Sequence, residues 1–433
     1  MYSKKLFTRF FVFLLFSSSL LLIIYFMQSN LFTTSSNNSL LLNDISSYHD
    51  KIELDYYVWD DEASYVAPVI DAYNSMQSSV QVTLHLLDST FYDDTIATLL
   101  TSNTKVDLIG IKGISKLAQY KSHLLDLTTY IQANALDVTA YGNMFNDISV
   151  NNRYYGIPTR NTSWALIYNK DLFDEAGISY PTQLTWDEYR TLAIQLTKGE
   201  GKDKIYGGYW VPWCYNFAAL QHSSYLIDDD LSYTKDSLEL LNTFYNIDGS
   251  HMSYTEMAKQ TDSVCEKFEA GTIAMMPQGE WIVNMLLQDE KNGHSTVNWD
   301  IAPIPVFEGQ DSGITWGQYQ FVGITNNSKY PKEAFHFITY LCGEDGARIY
   351  AQNGMIHAYS NEEIQHLYLD TVGKESASIF FNTKKVQEQL ALPGYDDILE
   401  GFKFCADEYF SGKKSIEEAM AEFEEIRRNI LSN

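Results

Sequence analysis

The sequence predicts an α/β protein of two domains, opening on a parallel, doubly wound sheet with helices on both faces. Three observations carry this. The chain has 433 residues, enough for two ordinary domains. Its composition, 45% hydrophobic with only 9 Pro, can bury a sizeable core and is not that of a disordered chain. From Lys51 onward the apolar residues switch regularly between strand and helix periodicity.

Taken in order, the chain begins with Lys4, Lys5 and Arg9 ahead of an apolar run from Phe10 to Met27, interrupted only by Ser17, Ser18 and Ser19. This is an export signal or a membrane anchor. No Ala occurs before Ala63, and Thr33 and Ser35 offer a peptidase only a weak site, which favours an uncleaved anchor. Residues 1–30 are therefore assigned to an N-terminal anchor or signal peptide, and 31–50 to a polar linker rich in Ser, Thr and Asn. The basic flank stays in the cytoplasm, so the rest lies on the extracytoplasmic face of the membrane, anchored or secreted.

Ile52, Leu54, Tyr56 and Val58 alternate as in a strand, and Val66, Val69, Ile70 and Tyr73 repeat as on a helix. Val80, Val82, Leu84 and Leu86 form a second strand, Ile96, Leu99 and Leu100 a second helix face, and residues 106–111 a third, short strand. The order βαβαβ with right-handed crossovers builds a parallel sheet that binds ligands at the carboxyl ends of its strands. Those ends are Trp59, Asp60 and Asp61, and Gly110, Ile111 and Lys112. No Pro-rich linker divides the chain, so it is expected to cross between domains more than once. Three segments pair a breaker with a short apolar stretch: Gly156–Pro158, Pro303–Pro305 before Gly309, and Gly354–Tyr359.

Charge narrows the function. Against 30 Lys and Arg stand 56 Asp and Glu, a net charge of −26. An acidic surface cannot displace phosphate counterions or dock on anionic lipid, so nucleic acid is excluded and the membrane is reached only through the N-terminal segment. Cys214, Cys265, Cys342 and Cys405 are far apart without CxxC spacing, which reads as buried thiols, with one disulfide permitted outside the cell. The 8 Trp, 31 Tyr and 23 Phe exceed what the core obviously needs and hint at a ligand that stacks.

Several motifs resemble one known family. They are Tyr155–Pro158, Ala165–Asp171, Leu172–Phe173, Glu175–Gly177 and Thr185–Glu188, then Phe268–Gly271, Ala274–Met276, Gly279–Trp281 and Ile301–Pro305. Phe321–Ile324, Pro331–Ala334 and the stretch from Gly343 to Gly354 continue the series in order. The chain is similar to the extracellular solute-binding proteins of ABC importers, in the carbohydrate-binding group that resembles maltose-binding protein. The resemblance implies a two-lobed, periplasmic-binding-protein-like fold, each lobe a mainly parallel sheet flanked by helices, joined by a multi-crossing hinge. It implies residues 51–158 with 306–355 as lobe 1 and 159–305 with 356–433 as lobe 2. A mono- or oligosaccharide would be held between the lobes and passed to ABC permease subunits. A sensing receptor with the same closure, and a polyamine ligand suited to the acidic balance, are the alternatives.

Sugars present hydroxyls in every direction and weakly polarised C–H faces, so their sites combine aromatic platforms with polar side chains that donate and accept. Trp59, Asp60, Asp61 and Lys112 stand at the strand ends, where the family often places a carboxylate on the ligand; Asp60 or Asp61 could equally cap the following helix. Arg160 and Asn161 follow the first expected crossing. Trp210, Trp213 and Tyr215 sit among Gly and Pro, as in a loop, and either stack on ligand or pack the second lobe. Glu280 and Trp281 open a helix, and in the family the corresponding Trp often lies under the ligand. Trp316 and Gln318 precede a returning strand. Trp164, Trp186 and Trp299 read as structural.

Catalysis has no support in the sequence. There is no GxSxG, HExxH or GxxxxGK[ST] motif, and the nine His are scattered without a metal-ligand cluster. No cofactor or metal is expected, and carboxylate pairs of the kind a glycosidase needs arise by chance among so many acids. The reading is a binding protein.

Overall fold

The computed structural model describes residues 51–149, 151–257, 259 and 263–432. The N-terminal anchor and linker read from the sequence lie outside the described residues. No helix among the described residues is long and apolar enough to cross a membrane.

Strand β1 (Ile52–Trp59) leads through a short 3-10 turn, Asp60–Glu62, into the helix Ala63–Met76. Strand β2 (Val80–Leu87), the helix Tyr92–Thr101 and strand β3 (Leu108–Ile111) follow, the βαβαβ order that the periodicity predicts. β1 runs parallel to both neighbours, with Ile52 opposite Val80 on one side and Tyr56 opposite Leu108 on the other. The alternation that defined β1 is its burial pattern: Leu54, Tyr56 and Val58 are sealed in the core.

Direction changes where the chain passes between lobes. Strand β4 (Ile157–Asn161) closes the edge of the first sheet, and after only Thr162 and Ser163 strand β5 (Trp164–Asn169) enters the second. There β5 lies between β6 (Met275–Gly279) and β7 (Trp299–Ala302), antiparallel to both. The expectation of a mainly parallel sheet therefore holds for β1, β2 and β3 and fails in the second lobe. The reason is local: β5 takes its direction from the strand-to-strand crossing and not from a helical crossover. Strand β8 (Ile314–Gly317) pairs with β10 (Lys384–Gln387), and after the single residue Gln318, strand β9 (Tyr319–Ile324) returns to the first sheet, antiparallel to β3 and β4. The first sheet thus has the order β2-β1-β3-β9-β4.

The crossings are consequently at Thr162–Ser163 and Gln318, a few residues from the expected breakers in one case and well beyond them in the other. Pro303–Pro305 is not a crossing: Ile304 packs in the second-lobe core, and the Val306 amide donates to Leu184 O at 3.0 Å. The two crossings are tied together, the Thr162 amide donating to Gln318 O (3.0 Å) and the Gln318 amide to Thr162 Oγ1 (2.8 Å). A Cβ at position 317 would stand 2.0 Å from Thr162 O, so only glycine permits this approach. The stretch Gly354–Tyr359 lies against β4, the Ala358 amide donating to Thr159 O at 2.8 Å.

One hydrophobic core, including Tyr56, Val58, Ile109 and Phe337, packs the first sheet. β5 separates two others by strand alternation: Trp164, Leu166 and Tyr168 face one, Ala165 and Ile167 the other. The four cysteines are buried free thiols.

Candidate functional site

A cavity of about 540 Å³ lies at the crossings, within the range of about 300–1,000 Å³ usual for small-molecule sites. Its first-lobe wall comes from the carboxyl ends of β1 and β3 and from β4 and β9: Trp59, Asp61, Tyr65, Lys112, Arg160, Gln318 and Gln320. Its second-lobe wall is more apolar, with Tyr209, Pro212, Trp213, Met252, Met257, Val264, Trp281, Ile282 and Met285, and with Ser263, Lys267, Gln278 and Asn284 among them.

The aromatic walls are held in fixed positions. The Trp59 indole packs edge-on to Tyr92 at 5.2 Å, and Lys112 Nζ lies 4.9 Å above the Trp59 ring while donating to Ser89 O at 2.7 Å. Burial lowers the Lys112 ammonium from its ordinary pKa, against the pull of Asp93, Asp61, Glu62 and Asp60. Trp281 stands at the first residue of the helix Trp281–Lys291, edge-on to Trp164 at 5.5 Å. Its ring fills the space beside Gly279, where a Cβ would come within 1.8 Å of it. Trp213 is 45% exposed, a wide aromatic face turned to solvent at the cavity.

Arg160 is the polar centre. Its Nη1 donates to Glu62 Oε1 (3.1 Å), Tyr65 Oη (3.1 Å) and Gln320 Oε1 (3.2 Å), and its Nη2 to Glu280 Oε1 (2.6 Å). Burial opposes its charge, yet Tyr65, Glu280 and Glu62 together hold the guanidinium above its ordinary pKa. Burial raises the Glu62 carboxyl despite Arg160 and the Tyr65 hydrogen bond. Glu280 also accepts the Ser163 amide at 3.1 Å, so the network spans the crossing itself. Among the described residues, two acceptors in the cavity lining remain unengaged, Gln278 Oε1 and Gln318 Oε1.

Seven of the sequence-predicted residues meet here: Trp59, Asp61, Lys112, Arg160, Trp213, Trp281 and Gln318. Six do not line this cavity. Trp210 and Trp316 are fully buried in the second-lobe core, stacked about Trp164 with Phe217, and the Trp210 Nε1 donates to Cys214 O at 2.8 Å. Tyr215 is buried against Phe410 and donates to Asp407 Oδ1 at 3.3 Å. The Gly- and Pro-rich segment is a loop, but it folds inward, and of its three candidate aromatics only Trp213 turns outward. Glu280 is wholly buried and engaged with Arg160. Asp60 is exposed and accepts the Ser89 amide at 3.0 Å, a turn-stabilising role. Asn161, next to Arg160 on β4, faces the other side and lines a separate cavity with Tyr319 and Lys385.

Sequence reasoning missed Tyr65, Tyr209, Gln278, Gln320 and the methionines 252, 257 and 285. Gln320 was within reach, since strand alternation puts it on the face of Gln318; Gln278 immediately precedes the Gly279–Trp281 motif. Among the described residues, Cys265, Glu269 and Asp289 gather ligand atoms within 4.8 Å of one another. None of the three lines the cavity, and burial with the nearby Glu269 and Asp289 carboxylates keeps the Cys265 thiol protonated.

The profile of the bacterial extracellular solute-binding proteins matches residues 59–348. A sugar transporter from Rhizobium etli, solved in an open conformation, is 26% identical and superposes with a TM-score of 0.72 over 87% of this chain and 99% of its own. An ABC substrate-binding protein from Listeria monocytogenes in complex with cycloalternan is 22% identical with a TM-score of 0.77, covering 88% and 98%, a likeness of fold. A binding protein of Brucella abortus is 23% identical over 274 residues, 60% of this chain and 63% of that relative, so the match spans a little under two thirds of its length.

Proposed function

The chain belongs to the bacterial extracellular solute-binding proteins, two-lobed receptors and not enzymes, and from that premise we propose that it captures a neutral carbohydrate between its lobes for an ABC permease. The observation that carries this is the makeup of one cavity: Trp213 and Trp281 on one wall oppose Asp61, Lys112, Arg160, Gln318 and Gln320 on the other. An aromatic wall suits the C–H face of a sugar ring, and the opposite wall offers donors and acceptors to its hydroxyls. The R. etli relative is named a sugar transporter, and the L. monocytogenes protein holds cycloalternan.

Local charge speaks against a polyamine despite the overall −26. Among the described residues the cavity is lined by Lys112, Arg160 and Lys267 and by one carboxylate, Asp61. A polycation would need the reverse.

We read the lobes as residues 51–161 with 319–359 and residues 164–317 with 360–432, moving as near-rigid bodies about the paired crossings. Ligand touching both walls favours the closed arrangement to the extent that it binds that arrangement better. The N-terminal segment tethers the receptor to the outer face of the membrane. The test is fluorescence titration with neutral oligosaccharides: saccharide should change Trp emission saturably and be recovered intact. A change that persists in the Trp213→Ala, Trp281→Ala double variant, or turnover of the saccharide, overturns the proposal.

A further inference from the structure

Behind the crossings lies a second cavity of about 420 Å³, lined in part by Asn161, Ser163, Tyr319, His357, Thr383 and Lys385. Three of its polar side chains carry a buried atom that nothing in the cavity lining satisfies. Among the described residues, Asn161 Oδ1, Ser163 Oγ and Lys385 Nζ are each sealed from solvent without a hydrogen-bond partner. Asn161 and Ser163 lie two apart in the extended crossing, so both side chains point to the face opposite Arg160. Lys385 reaches the same space from β10, its Nζ 5.0 Å from the Tyr319 ring centroid.

The carboxylates acting on that ammonium are committed elsewhere. Asp147 accepts the Tyr319 hydroxyl at 2.8 Å, Glu388 accepts Trp164 Nε1 at 2.8 Å, and Glu280 holds Arg160 at 2.6 Å. Among the described residues none of them forms an ion pair with Lys385. A buried cation without a counter-ion or hydrogen bonds is costly, and a polar cavity beside it invites an anion to supply both.

We propose that this rear cavity is a second binding site, for a small organic carboxylate, held by the Lys385 ammonium, the Ser163 hydroxyl and the Asn161 amide. A carboxylate has two oxygens and can accept from all three at once. The Asn161 oxygen and nitrogen exchange places by a turn of the amide, which presents its N–H to the anion. The ligand's body would rest against Phe380 and Phe381, which line the same space. Because Asn161 borders the crossing and Ser163 lies in it, occupancy is linked to the lobe arrangement, and any effect on the front cavity is reciprocal. The inference stands on the rear cavity alone and does not depend on the front ligand being a sugar.

The probe is acetate, observed by saturation-transfer NMR on the full-length protein, with chloride as competitor. We expect a saturable signal whose affinity falls at least tenfold in Lys385→Met and severalfold in Ser163→Ala. Affinity should also decline as pH rises above about 7, where the buried ammonium loses its proton. The other titratable groups facing it do not reproduce this: His357 is held neutral by burial, its pKa lowered to about 3, and Tyr319 is raised beyond the range. Glu388, raised by burial to about 7, does titrate there, so the pH profile is repeated in Glu388→Gln and should persist. No saturable signal, or unchanged affinity in a folded Lys385→Met protein, overturns the proposal. Should Lys385→Met fail to fold, unchanged affinity in Ser163→Ala overturns it instead. Chloride binding that acetate cannot displace also counts against a carboxylate site.

Discussion

Replacing Arg160 by Met should be among the most damaging single changes to the folded protein. The guanidinium is 3% exposed and makes four hydrogen bonds, two of them to carboxylates that are themselves buried, Glu62 at 2% and Glu280 at 0%. Met fills much of the same volume, so the loss comes from leaving two carboxylates in a dry site without the cation that bonds both. Breaking such a buried pair costs about 3–5 kcal/mol. With an m-value of about 3 kcal/mol/M, the urea midpoint should fall by roughly 1–2 M with m unchanged. Adding Glu280→Gln removes one orphaned charge, so the double variant should lose less than the sum of the single losses, by about 0.5–3 kcal/mol. Acidification should narrow the gap between wild type and Arg160→Met, because an unpaired carboxyl takes up a proton. A midpoint shift corresponding to less than about 1 kcal/mol, or strict additivity with Glu280→Gln, would refute the description of Arg160 as the ionic centre of the crossing.

Other outcomes follow from the same geometry. Trp281→Ala should weaken saccharide binding by roughly 1–3 kcal/mol in calorimetry, through loss of a stacked ring; unchanged affinity in a folded variant removes Trp281 from the site. Trp316→Ala, a core truncation, should instead lower stability by about 3–5 kcal/mol in denaturant melts, and a stable variant would contradict its placement. Burial raises Glu388 from 4.5 to about 7 and lowers Lys385 from 10.5 to about 7. Glu388 binds its proton more tightly folded than unfolded, so its contribution falls between pH 4.5 and 7; Lys385 releases its proton more readily folded, so its contribution rises between 7 and 10.5. Their combined effect is a dip in stability near pH 7, and Glu388→Gln should flatten the acid side of it; an unaltered acid limb in that variant would show that Glu388 is not the source.

Much of the first lobe could be read directly, because β1, β2 and the helices between them each bury one face and so carry a clear period. The second sheet was harder. Trp164 to Asn169 is buried throughout, so periodicity says little, and its antiparallel pairing follows from a two-residue crossing that leaves no mark in local composition. The aromatic candidates divided for a similar reason. Trp213 and Trp281 border the cavity whereas Trp210 and Trp316 fill a core, and a Trp beside Gly or Pro looks the same in sequence whichever way its loop folds. Arg160 stood out by position, but its partners Glu62 and Glu280 lie 98 and 120 residues away along the chain and meet it only through the tertiary fold. Lys385 gave no local signal, since adjacent lysines, Lys384 and Lys385, on a short polar strand read as exposed.

The central claim is that the cavity between the walls of Trp281 and Arg160 takes a neutral sugar. It is tested most directly by a thermal-shift panel of mono- and oligosaccharides and polyamines on the full-length protein. A ligand of the native state raises the melting temperature progressively with its concentration above Kd. At least one neutral saccharide should produce such a dose-dependent rise, reduced in Trp281→Ala, while polyamines produce none. A rise confined to polyamines, or no response to any saccharide, would contradict the account.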